Sequence, residues 1–295
     1  MIANPIPWPN GARCACAITF DMDADSLIHI SRPKDAHDRL YPISMGRYGP
    51  TVAMPRILET YRRLGLTQSF FIPGWCLEQY PETVEAILRG GHEIGHHGYL
   101  HEDPVETAGE GGQRAWFERA LDSHQRICGV KPRGYRAPVY NVTQEVIDLL
   151  IEHGIRYDSS LMADDIPYRL ETSAGGLWEM PAHWGTDDWP PFAHYAEIGY
   201  MMPVKGPSEG LAAFWEEFEA AYAAGGFFMP ILHPFLTGRL ARWRLVEQWL
   251  ERTLTDRSVW IAPLEEIARH LDTIAAADWT PRTERMPYYT GPVLE

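Results

Sequence analysis

Four short stretches of this 295-residue sequence carry side chains able to bind a metal ion and move protons. In Thr19-Phe20-Asp21-Met22-Asp23, two carboxylates stand two positions apart, and an extended backbone turns both to one side. If Phe20 closes a strand, they lie just beyond its carboxyl end, where parallel barrels assemble active sites; otherwise they form a solvated turn. Gly91 to Glu102 holds four of the twelve histidines: His92, His96, His97 and His101. One helical turn would put His97 and His101 on one side. Two neutral imidazoles and a carboxylate suit zinc or a similar ion and leave positions open for water, so Asp23, His97 and His101 form the candidate metal set. His92 and His96 share the same spacing, but on a strand His92 is expected to be buried and hydrogen-bonded.

Two further stretches add a cation and a proton carrier. Arg136, in Arg133-Gly134-Tyr135-Arg136-Ala137-Pro138-Val139-Tyr140, precedes a proline-stiffened turn and has the forked geometry to hold a carboxylate. In Met229-Pro230-Ile231-Leu232-His233-Pro234, an apolar run delivers a histidine fixed by proline, a credible general acid or base.

The elements that must position these residues read as strand and helix in alternation. Cys16 to Phe20, Ser69 to Ile72, His92 to Gly95, Gly134 to Arg136, Tyr157 to Leu161, Leu177 to Met180 and Phe227 to Leu232 have strand character. Helical spacing runs from Thr51 to Leu64, stopped by Gly65, and from Pro81 to Leu88, Ala115 to Ile127 and Thr143 to His153. Further helices are expected around Leu211 to Ala224, Leu240 to Leu254 and Leu264 to Leu271. Alternation implies a parallel sheet, and seven or eight units favour a closed (β/α) barrel over an open doubly wound sheet, since no Gly-x-Gly-x-x-Gly turn follows any strand. Asp25 to Pro50 and Asp164 to Gly210 break the alternation and read as loops over a site. We expect one domain across 1–295, with extensions at both ends.

Composition excludes several functions. With 26 Lys+Arg against 40 Asp+Glu the formal charge is −14, which argues against nucleic acid as a partner. No apolar run reaches the length of a membrane span, and the N-terminus lacks the basic and apolar regions of a leader; we therefore expect a cytoplasmic protein. Cys14 and Cys16 have no second close pair, so buried thiols are expected rather than structural zinc.

In this order, the four clusters resemble the polysaccharide deacetylase family, over roughly residues 15 to 235. The resemblance implies a distorted (β/α) barrel with seven or eight strands. It also implies Asp21 as catalytic base, Asp23, His97 and His101 as ligands of one divalent metal (zinc, with cobalt, manganese or nickel as alternatives), Arg136 holding the base and His233 as acid. Met22 separates two aspartates that are usually adjacent. This spacing, with Tyr157-Asp158-Ser159-Ser160-Leu161 and Glu179 to Trp184 followed by Asp187-Asp188, resembles the branch of cyclic imide hydrolases and peptidoglycan-deacetylase-like proteins, which often form dimers or tetramers. Val139 stands where many sugar deacetylases carry tyrosine. Val139, Tyr140, Trp184 and Asp188 are expected to contact substrate. The aromatic stretch of Trp178, Trp184, Trp189, Phe192, Tyr195 and Tyr200 is expected to cover a pocket for a small, fairly apolar molecule. The expected activity is hydrolysis of a non-peptide C–N bond in a small cyclic imide, ureide or N-acyl compound. Alternatives are N-deacetylation of polysaccharide, peptidoglycan or chitooligosaccharide, and ligand binding without catalysis on the same barrel.

Overall fold

A computed structural model of the chain describes residues 2–106, 112–255, 258–292 and 294. Twelve short strands organise it: β1 (Cys14–Cys16), β2 (Thr19–Asp21), β3 (Ser69–Ile72), β4 (Glu93–His96), β5 (Gly134–Tyr135), β6 (Tyr157–Asp158), β7 (Tyr168–Thr172), β8 (Gly175–Glu179), β9 (Phe227–Phe228), β10 (Ile231–Leu232), β11 (Val259–Ile261) and β12 (Thr283–Arg285). The main sheet runs β10-β2-β3-β4-β5-β6-β8-β7-β12, and a three-stranded sheet runs β11-β1-β9. From β10 to β8 all neighbours are parallel; β7 turns back antiparallel on β8, and β12 lies parallel to β7.

The two sheets share two interrupted strands. β1 continues as β2 but breaks at Ala17-Ile18, where the Ile18 N–H donates to the Gln68 side-chain Oε1 at 2.7 Å instead of to a neighbouring strand. β9 continues as β10 but breaks at Pro230, which has no N–H to give to a ladder. A parallel bridge between Asp187 and Ile231 ties the segment after β8 back to β10, so the circuit is a distorted barrel rather than an even ladder. With each interrupted pair taken once and β11 included, the parallel strands number eight, the upper end of the expected range.

Helices cover the outside because their apolar residues recur on one face. Helix Met54–Leu64 buries Ile57 and Tyr61 and ends at Gly65, whose φ of +68° is the left-handed conformation that glycine adopts freely. Helix Gln144–Glu152 is capped by Thr143, which accepts from the Val146 N–H. Inside, Phe20 stacks on Phe70 at 5.2 Å between ring centroids, and both rings are fully buried. Each such ring is worth roughly 1.5–3 kcal/mol of burial.

Several expectations need correction. Residues 25–50 are not an open loop: helices Ser26–Ser31 and Leu40–Tyr48 occupy them. The second irregular stretch contains the β7–β8 hairpin, and helix Pro207–Ala224 begins before its expected end. Strands β11 and β12 had no counterpart among the expected elements. Cys14 and Cys16 are buried free thiols, as expected. Among the described residues, no helix is long and apolar enough to cross a membrane.

Candidate active site

Five of the candidates lie at the carboxyl end of a parallel strand or one or two residues past it, and His101 lies five past β4. Asp21 closes β2 and Asp23 follows it; His97 follows β4, Arg136 follows β5 and His233 follows β10. Parallel pairing brings these ends to one mouth. There His97 Nε2 lies 3.3 Å from Asp23 Oδ1, and His101 Nε2 lies 3.6 Å from Asp23 Oδ2. His233 Nε2 approaches the same Asp23 Oδ2 to 3.4 Å. Four non-glycine residues flanking the mouth have positive φ: Ala24, His101, Val139 and Tyr140. Such backbone is costly for a β-branched residue, so Val139 at +49° is held there by its surroundings.

Asp21 and Asp23 have different partners. The fully buried Arg136 donates to Asp21 Oδ1 at 2.6 Å. Its other N–H groups go to Thr19 Oγ1, the Ser159 carbonyl and Ser159 Oγ, and its guanidinium lies 4.2 Å from the Phe71 ring centroid. Asp23 has both oxygens buried with no hydrogen-bond partner among the described residues. Burial alone would raise its pKa, but His101, His97 and His233 outweigh burial and hold it well below the usual carboxylate range. A buried carboxylate with unpartnered oxygens, faced by two imidazoles, fits a divalent cation, and the N/O donor set suits zinc.

The imidazoles are oriented from behind. His97 Nδ1 sits 2.7 Å from the Arg136 carbonyl; donation there leaves the Nε2 lone pair facing Asp23. Burial pushes the His101 pKa down to about 4, which keeps the ring neutral as a ligand must be. His233 Nδ1 is 2.7 Å from Asp188 Oδ1. Burial opposes protonation of His233, but Asp188 and Asp23 prevail and raise its pKa to about 10.

Asp188 corrects one expectation. It is fully buried behind His233 rather than at the rim, accepting from the His233 N–H at 3.0 Å and from the Thr237 hydroxyl. Asp187, Asp188 and His233 also lie close enough to share an ion. Their carboxylates, however, already have partners: Asp187 accepts from the Tyr140 hydroxyl and the Trp189 N–H. The Asp23 group therefore fits a cation better. Val139 is half-exposed, and the Tyr140 ring meets Trp184 edge-on at 4.9 Å, so these three residues sit together at the rim. Trp189 packs edge-on against His233 at 5.4 Å, with Tyr200 beside it at 5.8 Å. Trp178 is not part of this cover: it is buried and donates to Asp272. Phe192 and Tyr195 are core residues. His92 is buried and accepts from the Gln68 N–H, as expected of a structural histidine.

Three residues near the site were not singled out from sequence. Ser159 holds Arg136, Ser160 Oγ accepts from the Ala137 N–H, and Glu102 is buried beneath the His97–His101 turn. The serines stood in a motif already noted, but their partners come from another strand. Glu102 directly follows His101, and only its burial marks it.

Known proteins resemble this chain in sequence and fold. A family profile described as polysaccharide deacetylase matches residues 48–157. A crystal structure from Mycobacterium smegmatis assigned to the polysaccharide deacetylases superposes with a TM-score of 0.90 at 35% identity, covering 98% of this chain and 99% of that one. A Helicobacter pylori protein named peptidoglycan deacetylase is 25% identical over 278 residues, 85% of this chain and 94% of its own length. The allantoinase Puue shares the fold, with a TM-score of 0.77 at 21% identity over 94% of this chain and 96% of its own.

Proposed function

The chain belongs to the polysaccharide deacetylase family, whose members are hydrolases of non-peptide C–N bonds, and from that premise we infer that it hydrolyses such a bond in a small cyclic imide, ureide or N-acyl compound. Asp23, His97 and His101 would hold one divalent metal, zinc by preference. When bound, such an ion lowers the pKa of water and polarises a carbonyl. Asp21 accepts the proton of the attacking water, and Arg136 fixes the carboxylate for that task. The backbone N–H of Val139 would serve as donor to the oxygen on which negative charge develops. His233, held by Asp188, gives a proton to the departing nitrogen as the C–N bond breaks and a C–O bond forms.

The observation that carries the small-substrate reading is enclosure. Asp21 and Asp23 are 3% and 1% exposed, and Tyr140, Trp184 and Trp189 crowd the approach. A polymer needs an open groove along its length; a small ring needs only a pocket. The second reading, N-deacetylation of peptidoglycan or another polysaccharide, is favoured by similarity along most of the chain to a protein named peptidoglycan deacetylase. Zinc-loaded enzyme assayed on cyclic imides, ureides and N-acetylated sugar oligomers separates the two. Ring opening of an imide or ureide is the expected result. Turnover of the oligomers alone would establish the second reading, and tight binding without turnover would point to a non-catalytic barrel.

A further inference from the structure

The turn that carries both histidine ligands is built around a carboxylate. Glu102 is buried, and its oxygens accept the Tyr99 N–H at 2.9 and 3.0 Å and the Leu100 N–H at 2.7 Å. Gly98, at φ +68°, lies so close that a Cβ there would be 2.8 Å from Glu102 Oε1. The remaining polar groups of the turn are tied as well. The Gly98 N–H donates to His96 Nδ1 at 3.1 Å, while the Gly98 and Tyr99 carbonyls accept from the Gly74 and Trp75 N–H groups at 3.0 and 2.7 Å. The chain from His97 to His101 is thereby wrapped on Glu102, with His101 at φ +61° turning its ring to Asp23.

We propose that Glu102 is a positioning residue of the metal site: its carboxyl group folds the 98–101 turn so that His97 and His101 converge. This rests on reading Asp23, His97 and His101 as the cation site, and the experiment tests the two separately. Zinc is titrated calorimetrically into metal-free wild type, His97→Ala and Glu102→Gln, and cobalt-loaded samples are compared by visible absorption. If wild type and His97→Ala bind zinc equally, the cation site itself is misplaced. If His97→Ala loses binding, Glu102→Gln is expected to weaken zinc affinity 10- to 100-fold, a typical cost of removing a residue that supports a ligand. Its cobalt absorption band should also change in position or intensity, which a merely structural role would not produce. A zinc affinity within threefold of wild type, with an unchanged cobalt spectrum, would overturn the proposal. Should Glu102→Gln not fold without metal, Glu102→Asp takes its place: it keeps the carboxyl group but withdraws it from the turn by one methylene, so weaker zinc binding supports the role and unchanged binding refutes it.

Discussion

Replacing Arg136 with methionine tests the central ion pair, because methionine keeps much of the apolar length while deleting every guanidinium donor. In the structure those donors reach Asp21, Thr19 and Ser159, and no atom of Arg136 is exposed. The substitution leaves Asp21 almost wholly buried without its cation. Breaking one side of a buried pair in this way costs about 3–5 kcal/mol. At roughly 2–4 °C per kcal/mol, the melting temperature should fall by roughly 10 °C. The cost lies mainly in the stranded carboxylate, so adding Asp21→Asn to Arg136→Met should return at least about 2 kcal/mol as a coupling energy. Neither variant should turn over substrate, since the double change removes the base. Thermal and urea unfolding of the metal-free proteins measures the cycle, and a zinc-loaded turnover assay measures the activity. A single variant melting within about 2 °C of wild type, or two changes whose costs simply add, would refute the pairing.

Asp21→Asn alone should lose several orders of magnitude in turnover yet retain bound metal, whereas His97→Ala should lose both; elemental analysis beside kinetics checks the difference. Asp188→Asn keeps an oxygen near His233 Nδ1 but removes the anion, so kcat should fall about 10²–10⁴-fold, and a change confined to KM would contradict the orienting role. Burial lowers the His92 pKa from 6.5 to about 4, so between those values the unfolded chain binds the extra proton. Stability from this group is therefore complete above pH 6.5 and lost as pH falls towards 4, by about 2 kcal/mol at pH 5. His92→Gln should remove that share of the difference between urea midpoints at pH 7.5 and pH 5, and an unaltered difference would exclude His92 as its source.

Where local pattern and burial coincide, the elements can be read directly. Ser69–Ile72 is a continuous apolar strand with the expected bounds, and Gly65 stops its helix as glycine does at a left-handed cap. Where a distant partner decides, the sequence is silent. The break between β1 and β2 is made by a Gln68 side chain fifty residues away. Strand β7 lies in a stretch rich in proline, glycine and aromatic residues and exists through β8 on one side and β12 on the other. Nothing in Thr283–Arg285 has the apolar run of a buried strand, and its mixed exposure shows why.

The same division runs through the site, and it explains how one mouth assigns different work to neighbouring aspartates. Residue types and spacing bring Asp21, Asp23, His97, His101, Arg136 and His233 into consideration, and strand ends gather them, but two carboxylates separated by one methionine are chemically alike on paper. What distinguishes them is the resident cation each meets. Arg136 reaches across from β5 to Asp21, and Asp188, carried by the segment after β8, takes His233. Asp23 is then left facing His97, His101 and the far nitrogen of His233, with neither oxygen hydrogen-bonded among the described residues. A buried carboxylate without hydrogen bonds is costly, so a divalent ion held there, as proposed, would stabilise the folded mouth as well as equip it. On the proposed reading, pairing of the other charges leaves Asp23 to the metal and Asp21 to the proton, and that pairing depends on contacts spanning more than a hundred residues.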